Sequence, residues 1–178
     1  MPQLISAISF QEMFPNQLCR CYSLSFEGSV LMSQIQVQMI DNTVSSDWWR
    51  KLVQHFVKVG DELEIRCWKE ETAEIQQASL YGKPVNEMYE VSIKGIVTTK
   101  LLTELLTDEP ADRSIYNKTT KYFTINAISG QRNFSSTHYG TEMYIDGVLD
   151  DDIAFFSKIM EQYNDCFSIS MGTNLNIT

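Results

Sequence analysis

Four aspartates crowd into MYIDGVLDDDIAFFSKIM, at Asp146, Asp150, Asp151 and Asp152, directly ahead of an apolar pattern with helical spacing. Carboxylates this close together invite calcium ligation, paired acid catalysis or attraction of a basic partner. A calcium loop of EF-hand type needs acids at alternating positions, a central glycine and a glutamate at the twelfth position. Here Asp146-Gly147 comes too early and the three later acids are contiguous. Contiguous residues at a helix start point in different directions around its axis, so they do not converge on one ion. They do suit the free N–H groups and the positive end of the helix dipole. Acid catalysis needs one carboxyl buried with a raised pKa, and a solvated helix start is the opposite environment. Capping therefore explains part of the cluster and leaves the rest of its charge to be accounted for.

The other chemically capable residues give weaker patterns. His138, in SSTHYGTEMY, neighbours Ser135, Ser136, Tyr139 and Glu142, groups that would serve a hydrolase and are also ordinary loop and strand-edge composition. His55 lies among Arg50, Lys51, Gln54 and Lys58, which reads as the polar side of a helix. Cys19 and Cys21 fit a strand in LCRCYSLSF, where both point to one face and extended backbone disfavours a bridge between them. Zinc would need Cys67, Cys166, His55 or His138 to complete a site, and no second close pair exists, so free thiols and no metal or cofactor are expected. The glycines are isolated, which removes the P-loop and the dinucleotide fingerprint, and no zincin, nucleophile-elbow or kinase motif occurs. A non-enzymatic role is therefore favoured over a catalytic one.

These residues must be positioned by a mixture of strands and helices. Residues 18–26 and 29–40 each alternate around Glu27-Gly28, which reads as a hairpin. SSDWWRKLVQHFVKVG spaces Trp48, Trp49, Leu52, Val53, Phe56 and Val57 as one helix face, with Ser45 or Ser46 as cap and Gly60 as stop. Core packing is expected for Trp48, and partly exposed anchor positions for Trp49 and Trp68. DELEIRCW and NEMYEVSIKGIV read as strands, with 73–80 continuing the sheet to a Gly82-Lys83-Pro84 turn. TTKLLTELLTDEP reads as a short helix ended by Pro110, KYFTINAISG as a strand, 150–164 as the last helix and CFSISMGTNL as a terminal strand. The fold class is thus α+β, a mainly antiparallel sheet with about three helices on one face, in a single domain over 1–178. Segments 18–68 and 121–171 share the order hairpin, helix, strand, a hint of a duplicated β-β-α-β unit, although residue identities at that offset do not match.

Charge narrows the partner. With 14 basic and 23 acidic residues the net charge is −9, which opposes a phosphate backbone or an anionic membrane. The start MPQLISAISFQEMF has no basic leader, and no run of about 18 apolar residues occurs, so a cytoplasmic protein is expected. From Asn133 onward Lys158 is the only lysine or arginine, against seven acids. The expected role is an acidic binding protein that inhibits or neutralises a basic protein, such as an immunity or antitoxin-type inhibitor of a nuclease toxin. Its expected binding surface combines Glu142, Asp146, Asp150, Asp151 and Asp152 with Glu104, Asp108, Glu109 and Asp112. Tyr139, Tyr144 and Phe155 would be its aromatic anchors. The alternatives are a small-molecule binder or hydrolase-like enzyme with a pocket near His138, and an assembly subunit that associates through the glutamine-rich strand 34–38.

Overall fold

The computed structural model describes residues 32–41, 43–110 and 118–174. Along the chain run β1 (Met32–Met39), α1 (Asp47–Phe56), β2 (Glu62–Trp68), α2 (Thr72–Ala78), β3 (Gly82–Asn86) and β4 (Glu90–Ile96). There follow α3 (Thr99–Thr107), β5 (Thr124–Ser129), β6 (Arg132–Thr137), β7 (Glu142–Val148), α4 (Asp150–Met160) and β8 (Phe167–Asn174). The strands form one eight-stranded sheet in the order β3-β4-β2-β5-β6-β7-β1-β8. Every neighbouring pair is antiparallel.

Alternation along each strand separates two faces. Leu63, Ile65 and Cys67 of β2 point into the core with Val91 and Ile93 of β4, Ile125 and Ala127 of β5, Phe134 of β6, Met143 and Ile145 of β7, and Ile35 and Val37 of β1. The same core takes Trp48, Trp49, Leu52, Val53 and Phe56 from α1, Leu101 and Leu105 from α3, and Phe156 and Met160 from α4. Fully burying a large apolar side chain contributes roughly 1.5–3 kcal/mol, so this shared layer dominates the stability. Trp49 is completely buried and its indole N–H donates to Ser136 Oγ at 2.8 Å, so it is a core residue rather than an exposed anchor.

Four helices occur among the described residues, not about three. The addition is α2, in the segment expected to continue the sheet; its TAEIQQA sequence is rich in good helix formers. The expected turn at Gly82 to Pro84 is instead the start of β3, an edge strand, where a proline costs no ladder bond. Gly82 lies opposite Gly95, and a Cβ on either would fall 2.4 Å from Lys94 O or 2.1 Å from Tyr81 O, so this close strand approach requires glycine on both sides.

The expected hairpin has its first arm, 18–26, outside the described residues, and both edges of β1 are occupied, by β7 and β8. The glutamine-rich strand is therefore interior and cannot serve as an edge for association. Among the described residues the first segment runs β1, α1, β2 and the second β5, β6, β7, α4, β8. In the sheet β2 sits between β4 and β5, which α3 joins, and β1 sits between β7 and β8, which α4 joins. No helix among the described residues is long and apolar enough to cross a membrane.

Candidate binding face

The face of the sheet opposite the core is mostly polar, with Ile96 and Ile128 exposed on it. One row of paired positions crosses all eight strands: Lys83, Lys94, Glu64, Asn126, Ser135, Tyr144, Gln36 and Ser170. The neighbouring row runs Ile96, Glu62, Ile128, Asn133, Asp146 and Gln34. Between these two rows lies a concavity of about 670 Å³, lined by Glu62, Glu64, Lys94, Ile96, Asn126, Ile128, Asn133 and Ser135.

Its floor is fixed by hydrogen bonds in series. Ser135 Oγ donates to Asn126 Oδ1 at 2.7 Å, and Asn126 Nδ2 donates to Glu64 Oε2 at 2.8 Å. The other Glu64 oxygen accepts from Ser92 Oγ at 2.7 Å and lies 3.4 Å from Arg66 Nε. Partial burial pushes the Glu64 carboxyl upward, but Ser92 and Asn126, together with the charges of Arg66 and Lys94, outweigh it and hold the group below its ordinary range. Glu64 is therefore an ionised anchor. Arg66 also reaches Glu87 at 2.9 Å and Glu90 at 3.3 Å; burial lowers its pKa, and these three carboxylates more than offset that. By contrast Glu62 and Asp146 make no ion pair among the described residues.

An aromatic corner adjoins this face. Phe123 packs against Trp68 at 4.6 Å and edge-on to His138 and Tyr139, each at 5.4 Å. The chain turns there through three consecutive left-handed residues, His138 (φ 50°), Tyr139 (φ 60°) and Gly140 (φ 85°). Non-glycine residues in that region are strained and need surrounding bonds to hold them. Here Tyr139 O accepts from Thr119 N at 2.8 Å, Thr120 N at 3.2 Å and Thr119 Oγ1 at 3.0 Å. The Tyr139 hydroxyl donates to Glu71 Oε1 at 2.7 Å. His138 projects outward, 57% exposed, with Nδ1 3.1 Å from Glu142 Oε2. The serines beside it in sequence face elsewhere: Ser136 is buried against Trp49, and Ser135 is engaged by Asn126. Neither of these two serines is thus presented to His138 as in a serine hydrolase.

The expected acidic surface divides between faces. Glu142, Asp146 and Tyr144 are on the open face, with Glu142 accepting from Thr137 and Tyr144. Asp150 and Asp151 are exposed in the first turn of α4, and Asp152 is tied down by His55 Nε2 at 2.8 Å and by the Leu149 N–H at 3.2 Å. Tyr139 is buried, so it cannot anchor a partner, and Phe155 is half-buried with its ring stacked on His55 at 3.8 Å. Asp108 pairs with Lys121, and Glu109 with Arg50. Asp112 lies outside the described residues, as do Cys19 and Cys21.

Glu104 is the largest departure. Its carboxylate, 9% exposed, accepts from Gln77 Nε2, Tyr81 Oη and Tyr122 Oη, each at 2.5 Å, and from Lys121 Nζ at 2.9 Å. Burial alone would raise its pKa, yet these donors bring it below the ordinary value, while burial and the carboxylate push Tyr122 upward and Tyr81 to about 12. It joins α2, α3 and the approach to β5, and acts as a structural tie. Cys67 is similarly inert: burial, with Glu71, Glu74 and Glu90 nearby, raises its thiol to about 12. Among the described residues no three His, Cys, Asp or Glu side chains group closely enough to hold a metal. No family model matches this sequence, and comparisons with curated proteins and with solved structures found no match.

Proposed function

We propose that this chain is an acidic binding protein that takes a basic protein partner on the open face of its sheet, as an immunity or antitoxin-type inhibitor covers the cleft of a nuclease. The observation that carries the reading is the second row of the face, where Glu62 and Asp146 flank the concavity with no cation of the chain's own paired to them. Other surface acids are spent internally, as Glu109 on Arg50 and Asp108 on Lys121 are, while the exposed Asp150 and Asp151 lie at the start of α4, off this face. Carboxylates left available on a rigid sheet attract Lys and Arg of a partner, and long-range attraction from a chain of net charge −9 speeds the encounter. Tyr144, 37% exposed, and the Trp68–Phe123–His138 corner supply aromatic surface for the buried centre that such a complex needs.

Affinity capture with the full chain at low salt tests this reading. The expected prey is a protein of net positive charge that is released by moderate salt and is not captured by the double variant Glu62→Lys/Asp146→Lys. Retention of the same prey by that variant would overturn the reading. The concavity supports a second reading, a small polar ligand held by Glu64, Asn126 and Lys94. A retained small molecule lost on Asn126→Ala would favour it.

A further inference from the structure

The two edges of the sheet are built in opposite ways. β3 has only five residues and carries Lys83 and Pro84, devices that discourage another strand from pairing. β8 has eight residues, FSISMGTN, with neither a charge nor a proline, and pairs with β1 along its whole length in unbroken register. Charged residues are absent from Cys166 to the end of the sequence, in a chain of net charge −9. Among the described residues no strand pairs with the outer edge of β8.

A groove of about 530 Å³ runs beside that edge on the core side, between α4 and β8. Phe156, Met160, Ile169 and Met171 form its apolar lining, and Lys158 and Glu161 flank it. Met171 is 47% exposed, a large apolar side chain with nothing over it in the described structure. An unprotected edge with an apolar groove alongside is the arrangement that accepts an added strand: backbone bonds supply affinity and alternate side chains fill the groove.

We propose that the added strand is β8 of a second copy of this chain, paired antiparallel about a two-fold axis so that one sheet continues through both protomers. Charge complementarity selects this occupant. In such a pairing the two α4 helices lie antiparallel side by side, which brings Lys158 of each toward Glu161 of the other, and the interface is complementary to itself as two-fold symmetry requires. The uncharged edge lets two chains of the same strong net charge approach at this point. The dimer leaves both open faces on one side of the continuous sheet, so it is independent of the partner proposed above.

Sedimentation equilibrium of the full chain over a range of concentrations is the test. A reversible monomer–dimer equilibrium is expected, and Ser170→Lys on the open-face side and Met171→Lys on the groove side should each weaken it by at least about tenfold. Circular dichroism of Ser170→Lys, at an exposed position, should match the parent, separating lost association from lost folding. Lys158→Glu should also weaken the dimer, and the charge-swapped pair Lys158→Glu/Glu161→Lys should restore it. A parent chain that stays monomeric at its highest soluble concentration would overturn the proposal, as would a dimer indifferent to Ser170→Lys or one that the charge swap fails to rescue.

Discussion

At the residue scale the sharpest consequence concerns Glu104. A carboxylate at a helix end opposite to the one its charge favours looks, in sequence, like surface charge placed for a partner. The structure turns it inward onto two tyrosine hydroxyls, a lysine and a glutamine. Hydrogen bonds to a charged group contribute about 1.5–3 kcal/mol each in net terms, but the amide of Glu104→Gln keeps some of them, so the variant should lose about 2–3 kcal/mol at neutral pH. Because the folded-state pKa is depressed below 4.5, the ionised form stabilises the fold above the unfolded-state pKa, and that contribution disappears as pH falls through the folded-state value. Urea denaturation should therefore show a gap between variant and parent that is constant near neutrality and closes in the acid range. A gap that persists or widens at low pH would mean that shape, not charge, holds the cluster.

At the element scale the start of α4 shows which of the contiguous aspartates matters to the fold. Leu149 occupies the N-cap position and has no side-chain acceptor for the N–H groups of the first turn; Asp152, three residues on, accepts from the Leu149 N–H and also holds His55 of α1. Asp152→Ala should cost about 0.5–2 kcal/mol by thermal or chemical denaturation, and Asp150→Ala or Asp151→Ala should cost less. Elements of this kind were legible in proportion to how much apolar surface they bury. α1 declares itself because Trp48, Trp49, Leu52, Val53 and Phe56 leave no other period to read. α2 does not, because Ala78 is its one fully buried residue and Ile75 is only partly covered. The glutamines of β1 revealed an outward-facing side of a strand, but its interior position depends on β7 and β8, more than a hundred residues later in sequence. No local pattern encodes that neighbour relation. The Glu104 cluster was hidden for the same reason, since its donors come from two segments far from Glu104 in sequence, Gln77 and Tyr81 from one and Lys121 and Tyr122 from the other.

At the scale of the whole molecule the acids fall into two populations. Some are compensated within the chain, as Glu109 is by Arg50, whereas others, Glu62 and Asp146 of the open face among them, make no ion pair among the described residues. Net charge alone, read from the sequence, cannot distinguish these populations, yet a partner approaching the sheet would. Asp146→Lys and Glu109→Lys change the total charge by the same amount and so weaken any uniform field equally. If the basic partner docks on the open face, Asp146→Lys should slow its association by about tenfold at low ionic strength, because a rim charge acts mainly on the encounter rate. Glu109→Lys should slow it far less, and the difference between the two variants should shrink as added salt shortens the screening length to below about 10 Å. Stopped-flow association measured with both variants across a salt series separates the cases. Equal slowing by the two substitutions would assign the effect to overall charge and remove the open face from the recognition site.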